Sequence, residues 1–387
     1  MWRSDGGRIP HGLGEPVSQD PHTMYILFDY QIFSLQRVGG ISRYFVELAQ
    51  RLPSFDRSIE TAVLAPVHIN AHLASSSIRV FGKKIQGFPG KHRLLPRLNR
   101  FLGSFMHKHI AADIIHETYY SQKVPAGNCP RVLTVYDMIH ERYPQMFTGP
   151  DIDIPRYKAA AVARADHVIA ISKKTREDLI RFLRVPEEKI SVIPLASSFE
   201  PPAFEGSADH STRPFLLYVG LRNGVKNFAT LLRAYVESTT LRRDYDLVCA
   251  GGGAFTAAER ERIRQGLVAD RVRYVEVDDV LLKRLYARAH LFVYPSLYEG
   301  FGLPLLEAMR CGCPVVCSNT SSMPEIAGDA ARYFEPEDAE QMRVVMERVL
   351  HSETEREQMK NRGYLRAKLF SWESCIAKTA EVYRRLK

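Results

Sequence analysis

The segment EGFGLPLLE combines two carboxylates with two glycines in a pattern that suits ligand binding, and it follows an apolar run typical of a β-strand. Gly300 and Gly302 would let the backbone approach a ligand, and Pro304 marks the first turn of a helix whose free N–H groups attract an anion. The carboxylates of Glu299 and Glu307 could then accept hydrogen bonds from sugar or ribose hydroxyls beside that anion. The alternative is a tight strand-to-helix turn with two solvated carboxylates.

Two cations, Arg222 and Lys226, follow another apolar run at a predicted strand end. In open α/β sheets, ligands bind beyond the carboxyl ends of the strands. Two cations at such an edge suit a diphosphate, although both could also be solvated loop cations. Together with the acidic segment, they predict a ligand that combines phosphate groups with sugar hydroxyls.

Two earlier patterns are weaker. Gly39-Gly40 opens an amphipathic helix and could bring backbone close to a phosphate, although such pairs often only turn the chain. Asp137 and His140 follow a third apolar run, where an isolated polar residue is more often structural. The sequence contains no Ser-His-Asp order, HExxH motif or complete Walker loop, so neither a hydrolase nor a simple P-loop protein is supported.

The elements that position these residues alternate between short β-rich runs and helical stretches, with seven such runs before residue 197 and five after residue 214. The runs are apolar on both faces, as in parallel strands covered by helices. The pattern predicts an α/β protein with two similar domains. The predicted units are a flexible leader at 1–23, a first domain at 24–196, a linker at 197–214, a second domain at 215–370 and a final helix at 371–387.

The chain of 387 residues has a net charge of +9, and the excess is concentrated in one segment. Residues 61–112 contain no acidic residue and eight Lys or Arg residues, mixed with large apolar side chains at helical spacing. This mixture suits a peripheral helix on anionic lipid better than base stacking on nucleic acid. A solvated basic face is the alternative.

No apolar stretch in the sequence is long enough to span a membrane, and no signal peptide is recognisable at its start. The six cysteines follow no zinc-binding or CxxC spacing, and three of them crowd between Cys311 and Cys317. Such crowding would risk scrambling in an oxidising compartment. We therefore predict structural cysteines in a cytoplasmic protein, with peripheral association at the inner face of the membrane as a further hypothesis.

The motifs together resemble one family. EGFGLPLLEAM, preceded by VGLRNGVKN and followed by SMPEIAGDAA, is similar to the motifs of the family 4 retaining glycosyltransferases. The resemblance extends from about residue 24 to the end, and the bacterial mannosyltransferases that build O-antigen or exopolysaccharide look most similar. It implies the GT-B fold, in which two Rossmann-like domains face each other across a cleft and the final helix crosses back to the first domain.

The resemblance implies transfer of a sugar, with mannose from GDP-mannose as the favoured donor, to a lipid-linked glycan or polysaccharide acceptor. The second domain would bind the nucleotide sugar and the first would face the acceptor. No metal or other cofactor is expected, and nucleic acid is not an expected partner, whereas an anionic membrane surface is. The alternatives are a GT-B epimerase or phosphorylase, and a non-enzymatic anionic-surface binder.

The resemblance also implies roles for individual residues: Arg222 and Lys226 on the diphosphate, Glu307 on the ribose and Glu299 on the transferred sugar. The expected catalytic residues are Glu299, Arg222, Lys226, Asp137 and His140. The expected donor-binding residues are Gly39, Gly40, Arg222, Lys226, Glu299, Gly300, Phe301, Gly302, Leu303 and Glu307. Many relatives have His-Asp where this chain has Tyr136-Asp137, so His140 is the candidate to replace the missing histidine.

Overall fold

The computed structural model describes residues 22–88, 91–107, 110–124, 128–200, 213–222 and 224–387, without the side chains of residues 91–93. Within these residues the chain forms two parallel sheets, one of seven strands and one of six. Most of the predicted leader and most of the predicted linker lie outside the described residues.

The first sheet belongs to the first half of the chain and is flanked by helices. Its strands are Met24–Phe28 (β1), Ile59–His68 (β2), Arg79–Lys84 (β3), Ile114–Glu117 (β4), Arg131–Val135 (β5), His167–Ala170 (β6) and Ile190–Val192 (β7). The helices of this half are Gln31–Leu35 (α1), Gly40–Phe55 (α2), Ala71–Ala74 (α3), Lys91–His107 (α4), Ile139–Arg142 (α5), Ile154–Arg164 (α6) and Lys173–Leu183 (α7).

The second sheet follows the same alternation. Its strands are Phe215–Val219 (β8), Asp246–Ala250 (β9), Val272–Val275 (β10), Leu291–Tyr294 (β11), Val315–Ser318 (β12) and Ala331–Phe334 (β13). The helices are Phe228–Glu237 (α8), Thr239–Asp244 (α9), Ala257–Gln265 (α10), Asp279–Arg288 (α11), Leu303–Arg310 (α12), Met323–Ala327 (α13), Ala339–His351 (α14), Glu353–Lys368 (α15) and Trp372–Leu386 (α16).

The burial of the strands explains why the sequence forms sheets with helices on both faces. All five residues of β1 are buried, as are all four of β11. Since successive side chains of a strand point to opposite faces, such a strand needs cover on both sides. Strand β13 was not predicted, because only the two ends of its sequence ARYF are buried and it lacks a continuous apolar run.

The strand orders place the carboxyl ends of β8 and β11 side by side. The first sheet runs β3-β2-β1-β4-β5-β6-β7 and the second β10-β9-β8-β11-β12-β13. In each sheet the chain reverses its direction of winding beside the first strand, between β1 and β4 and between β8 and β11. Ligands bind in the crevice outside such a switch point. The order therefore brings the loop after β8 next to the loop after β11.

Helix α16 crosses back to the first domain, as the GT-B resemblance predicted. The Tyr383 hydroxyl lies 2.6 Å from Nδ1 of His116, a buried residue of β4. Burial lowers the pKa of His116 to about 3, so the ring is neutral in this contact. At the other end of the helix, the Trp372 ring stacks on Tyr44 of α2 with 6.1 Å between ring centroids. The final helix thus ties the second half of the chain to the first sheet.

Among the helices described, none combines the length and apolarity required to cross a lipid bilayer. All six cysteines belong to the described residues and none is in a disulfide. Five of them are buried, in keeping with the structural interpretation. The cysteines of the crowded segment pack within the core around β12, where burial raises the thiol pKa of Cys311 to about 12.

Candidate active site

The loop between β11 and α12 is pressed directly against the first domain. A Cβ atom added to Gly300 would lie 1.7 Å from the backbone oxygen of Tyr136 and 2.9 Å from Cβ of Asp137. Only glycine fits at that distance, whereas the predicted approach of the Gly300 backbone to the donor stays a prediction. The partner it approaches is the other domain.

Two side chains that the sequence did not single out hold this contact together. The Tyr298 hydroxyl donates to Oδ2 of Asp178 in α7 at 2.8 Å, and the Met138 N–H donates to that hydroxyl at 3.4 Å. Thr175, also in α7, donates its hydroxyl to the Gly300 carbonyl at 3.2 Å. The loop is therefore positioned by both domains. The available sequence signal for this contact was Tyr298, directly before Glu299 in the motif.

Lys226 and Glu299 meet at the carboxyl edge of the second sheet. The Lys226 ammonium lies 2.6 Å from Oε1 of Glu299, and the two side chains are 27% and 13% exposed. Because β8 pairs with β11 in the sheet, loops 73 residues apart in sequence become neighbours. The structure thus brings together two of the predicted catalytic residues as a half-buried ion pair.

Asn227 fixes the loop that carries Lys226. It lies at the N-cap of α8 with a left-handed backbone (φ 56°), and its side-chain amide donates to the carbonyls of Pro295 and Pro336 at 3.0 and 2.6 Å. These bonds hold the Lys226 turn against the end of β11. Asparagine tolerates this conformation better than most residues, which is the signal in VKN that the sequence interpretation overlooked.

Arg222 is placed differently from Lys226. Its guanidinium bonds to Glu259 at 2.9 Å and to the carbonyls of Gly251 and Gly253, and its side chain is 3% exposed. Four of its five N–H groups have partners once the carbonyl of Ala254 is included. The structure therefore gives Arg222 a supporting contact to the glycine loop after β9, while its predicted contact with the donor diphosphate stays a prediction.

Glu307 lies one turn into α12 and is partly buried. The Tyr286 hydroxyl donates to Oε2 of Glu307 at 3.3 Å. Burial raises the pKa of Glu307 to about 7, against the lowering effects of that hydrogen bond and of the Arg43 cation, while the Asp279 carboxylate adds to the rise. A ligand that donates hydroxyl hydrogen bonds to this carboxyl group stabilises its ionised form.

We expect a nucleoside diphosphate to bind more tightly as the pH rises through 7. Below its folded-state pKa, Glu307 is protonated and must lose that proton before it accepts two ribose hydrogen bonds, which costs up to ~10-fold in affinity per pH unit. Calorimetric titration of GDP in buffers of different ionisation enthalpy measures the released proton. GDP itself titrates, so the matched control is Glu307→Gln, and an identical pH profile in the variant would contradict the ribose assignment.

The remaining residues of the acidic segment shape the loop. Gly302 caps α12 with φ of +97°, a conformation that favours glycine. Phe301 is buried and packs edge-on against Phe370 at 5.8 Å between ring centroids, so its side chain serves the core. Ser322 donates to the carbonyls of Glu299 and Phe301, both at 2.9 Å. Leu303 is the first residue of the helix, and backbone contacts from this turn to the donor remain predicted.

The glycine pair of the first domain lies at the start of α2. Gly40 has open space where a side chain would be, whereas a Cβ on Gly39 would fall 2.3 Å from Oε1 of Gln36. One turn further, Arg43 forms an ion pair with Asp279 of α11, 2.5 Å from Nη2 to Oδ2. The start of α2 therefore faces the second domain, as the donor-site prediction requires, and its contact with the diphosphate remains a prediction.

Asp137 and His140 lie at the carboxyl end of β5, opposite the Gly300 loop. Oδ1 of Asp137 accepts the Ile139 N–H at 3.0 Å and lies 3.6 Å from the ammonium of the fully buried Lys158. Lys158 also donates to the Asp137 carbonyl and to Glu141, both at 2.8 Å. The His140 ring packs on Phe147 with 4.0 Å between centroids, and burial lowers its pKa. Both catalytic assignments stay predictions.

Among the residues that the structure describes, no three His, Cys, Asp or Glu side chains are grouped so that they could hold a metal ion. The expected independence from metal remains a prediction. The candidate site thus consists of Lys226, Glu299, Gly300 and Glu307 on the second domain, facing Tyr136 and Asp137 on the first.

Comparison with known families divides the chain at the same place as the two sheets. Residues 38–196 match the model described as Glycosyltransferase Family 4, and residues 199–366 match Glycosyl transferases group 1. The chain thus combines a glycosyltransferase family 4 domain with a glycosyltransferase group 1 domain. The group 1 match includes both glutamates of the E-x7-E segment.

Two curated relatives of this chain come from Escherichia coli. O-antigen chain mannosyltransferase B is 36% identical over 231 residues, which are 57% of this chain and 60% of the relative. The serotype-specific mannosyltransferase WbdA is 30% identical over 304 residues, 72% of this chain and 37% of the relative. The matches therefore span between about a third and three fifths of the relatives' own length.

The solved structures confirm the fold. The Anabaena protein HepE, determined in complex with UDP and glucose, has a TM-score of 0.73 and 18% identity, with 94% of this chain and all of that chain covered. The GT-B architecture predicted from the motifs is thereby confirmed, together with the crossing helix α16.

Proposed function

We propose that this family 4 glycosyltransferase transfers mannose from GDP-mannose to a glycan acceptor, with retention of the anomeric configuration. The observation that supports it best is the arrangement of Lys226, Glu299 and Glu307 around one strand-to-helix turn at the interdomain contact. One cation and two carboxylates there match a ligand in which a diphosphate lies between a ribose and a sugar.

Lys226 would assist departure of the nucleoside diphosphate. Negative charge develops on the leaving diphosphate as the glycosidic bond breaks, so a preorganised cation stabilises the transition state more than the ground state. Glu299, which accepts from Lys226 at 2.6 Å, would then turn to the hydroxyls of the transferred sugar. The pair is thus held ready before the donor arrives.

Retention does not require an enzymic nucleophile in this proposal. The acceptor hydroxyl attacks the same face that the diphosphate leaves, and the departing phosphate oxygen takes the acceptor proton. Glu307 holds the ribose in this scheme, and Asp137 and His140 line the opposite wall of the cleft without forming a covalent bond. The wall is kept in place by the buried Lys158.

The names of the relatives support the choice of sugar in the donor. Two of them are named mannosyltransferases, which supports mannose, while the Anabaena neighbour at 18% identity was solved with UDP and glucose. We expect GDP to raise the melting temperature of the protein more than UDP at equal concentration, because, of two ligands that bind only the folded state, the one with the higher affinity stabilises it more. Differential scanning fluorimetry measures the shift. Stronger stabilisation by UDP would reject GDP-mannose as the donor.

The acceptor in this proposal is a growing polysaccharide or lipid-linked glycan on the cytoplasmic face of a membrane. The name of the first relative, an O-antigen chain mannosyltransferase, supports a glycan chain as acceptor. The concentration of positive charge in residues 61–112 supports an acceptor that lies at an anionic surface. A panel of nucleotide sugars, scored by nucleoside diphosphate released in the presence of glycan acceptors, tests transfer.

A further inference from the structure

Helix α4 presents a row of large apolar side chains to solvent. Leu94, Leu98, Phe101 and Phe105 are 55%, 38%, 76% and 66% exposed. Their spacing of four, three and four residues places them on one face of the helix. Contiguous apolar surface of this kind marks an interaction site, since isolated exposed residues would be scattered around the helix.

The opposite face of α4 is firmly seated, so the exposure is not that of a loose helix. Leu95 and Asn99 are buried. The Asn99 side-chain amide donates to the Val67 carbonyl at 2.7 Å and to the Ser34 hydroxyl at 2.8 Å, and its oxygen accepts the Val67 N–H at 2.7 Å. The helix is thereby fixed to β2 and α1 with its apolar row pointing outward.

The surroundings of the row are positively charged. Arg97 and Arg100 are exposed on α4 itself, and Lys83 and Lys84 are exposed at the end of β3. No acidic residue occurs between residues 61 and 112 to neutralise them. Apolar side chains flanked by arginines match a bilayer with an anionic headgroup layer over an apolar interior, whereas an acidic protein or a nucleic acid offers no apolar interior to receive the row.

We propose that α4 is the membrane-docking element of this protein: it lies in the plane of an anionic bilayer surface with Leu94, Leu98 and Phe101 inserted between the acyl chains. The arginines neutralise headgroups and the apolar row supplies the part of the binding that salt does not remove. The proposed docking therefore includes insertion of apolar side chains into the bilayer, which the charge of the sequence alone does not predict.

The seating of α4 also orients the docked enzyme. Ser34, which Asn99 contacts, belongs to α1, and α1 begins three residues after the end of β1 at the crevice side of the first sheet. The bilayer would therefore lie beside the first domain, close to the edge at which the acceptor is expected. The functional significance of this orientation rests on the proposed function, whereas the docking itself is independent of it.

The test is sedimentation of the full chain with vesicles of phosphatidylglycerol and phosphatidylcholine, against vesicles of phosphatidylcholine alone. We expect Leu94→Ser with Phe101→Ser to weaken binding to the anionic vesicles ~30-fold at low and at moderate salt, since it removes inserted apolar surface. Arg97→Gln with Arg100→Gln should weaken binding ~30-fold at low salt and less at high salt. The matched control is Leu365→Ser with Leu369→Ser, which removes equally exposed leucines of the second domain.

Several outcomes would overturn the docking proposal: no binding of the wild type to anionic vesicles at low salt, equal binding by the Leu94/Phe101 variant, or equal loss in the Leu365/Leu369 control. Wild-type binding to a DNA duplex that competes fully with vesicles would also overturn it in favour of a general polyanion site. Stabilisation of every variant by GDP is measured in parallel. Failure of the wild type to bind GDP would reject the proposed function. The vesicle measurements alone would still decide the docking proposal.

Discussion

Replacement of Gly300 by alanine should reduce sugar transfer about 10- to 100-fold while the second domain still binds nucleoside diphosphate. The added Cβ would lie 1.7 Å from the Tyr136 oxygen and 2.7 Å from its carbonyl carbon, both of which are backbone atoms. Backbone on the opposing domain cannot rotate away as a side chain can, so the domains must separate. Overpacking of this kind costs about 1–3 kcal/mol, and every 1.36 kcal/mol lost in the transition state is tenfold in rate.

Small-angle scattering of Gly300→Ala should show a larger radius of gyration, and GDP-mannose turnover should be measured on the same sample. Gly224→Ala is the matched control, because its Cβ would meet only the Met146 sulfur, at an ordinary 3.8 Å. A Gly300→Ala enzyme of wild-type turnover and unchanged dimensions would show that the contact between Gly300 and Tyr136 is not required for transfer.

Replacement of Lys226 by methionine should reduce turnover about 100-fold. The substitution keeps most of the apolar stem but removes the cation that stabilises the departing diphosphate, and removal of one preorganised donor typically costs ~100- to 1,000-fold. It also leaves the Glu299 carboxylate, only 13% exposed, without its partner beside the anionic ligand. Affinity for GDP should therefore fall as well.

Two further variants separate these effects. Adding Glu299→Gln to Lys226→Met should restore part of the GDP affinity, since the unpaired carboxylate is gone, but should not restore turnover. Lys360→Met is the control for loss of a paired lysine, because Lys360 bonds to Glu357 within α15, away from the interdomain contact. Wild-type turnover in Lys226→Met would refute the placement of the diphosphate at Lys226.

Most of the fold was predictable because the apolar runs are strong local signals. Buried strands such as β1 and β11 are apolar throughout and were recognised without reference to their neighbours. Strand β13 pairs with β12 at the edge of the sheet, and two of its four residues are only half-buried. Its identity as a strand depends on the hydrogen bonds that β12 offers, which no local pattern records.

The candidate site was predictable in its residue types but not in their partners. Arg222 and Lys226 are both cations after β8 and look equivalent in sequence. The structure separates them, with Arg222 bonded to Glu259 and the carbonyls after β9, and Lys226 bonded to Glu299. The difference arises because β8 lies between β9 and β11 in the sheet. The Arg222 side chain contacts the loop after β9, and the Lys226 side chain contacts the loop after β11.

The two α/β domains, the glycosyltransferase motifs and the concentration of positive charge before residue 113 could be derived from the amino-acid sequence, because periodicity, motif spacing and charge are local properties of the chain. The packing of the folded chain was needed to show that Gly300 faces the Tyr136 backbone, that burial raises the pKa of Glu307 to about 7, and that one face of α4 stays exposed. Those properties depend on atoms far apart in sequence, and their distances are set when the two sheets and the crossing helix pack together.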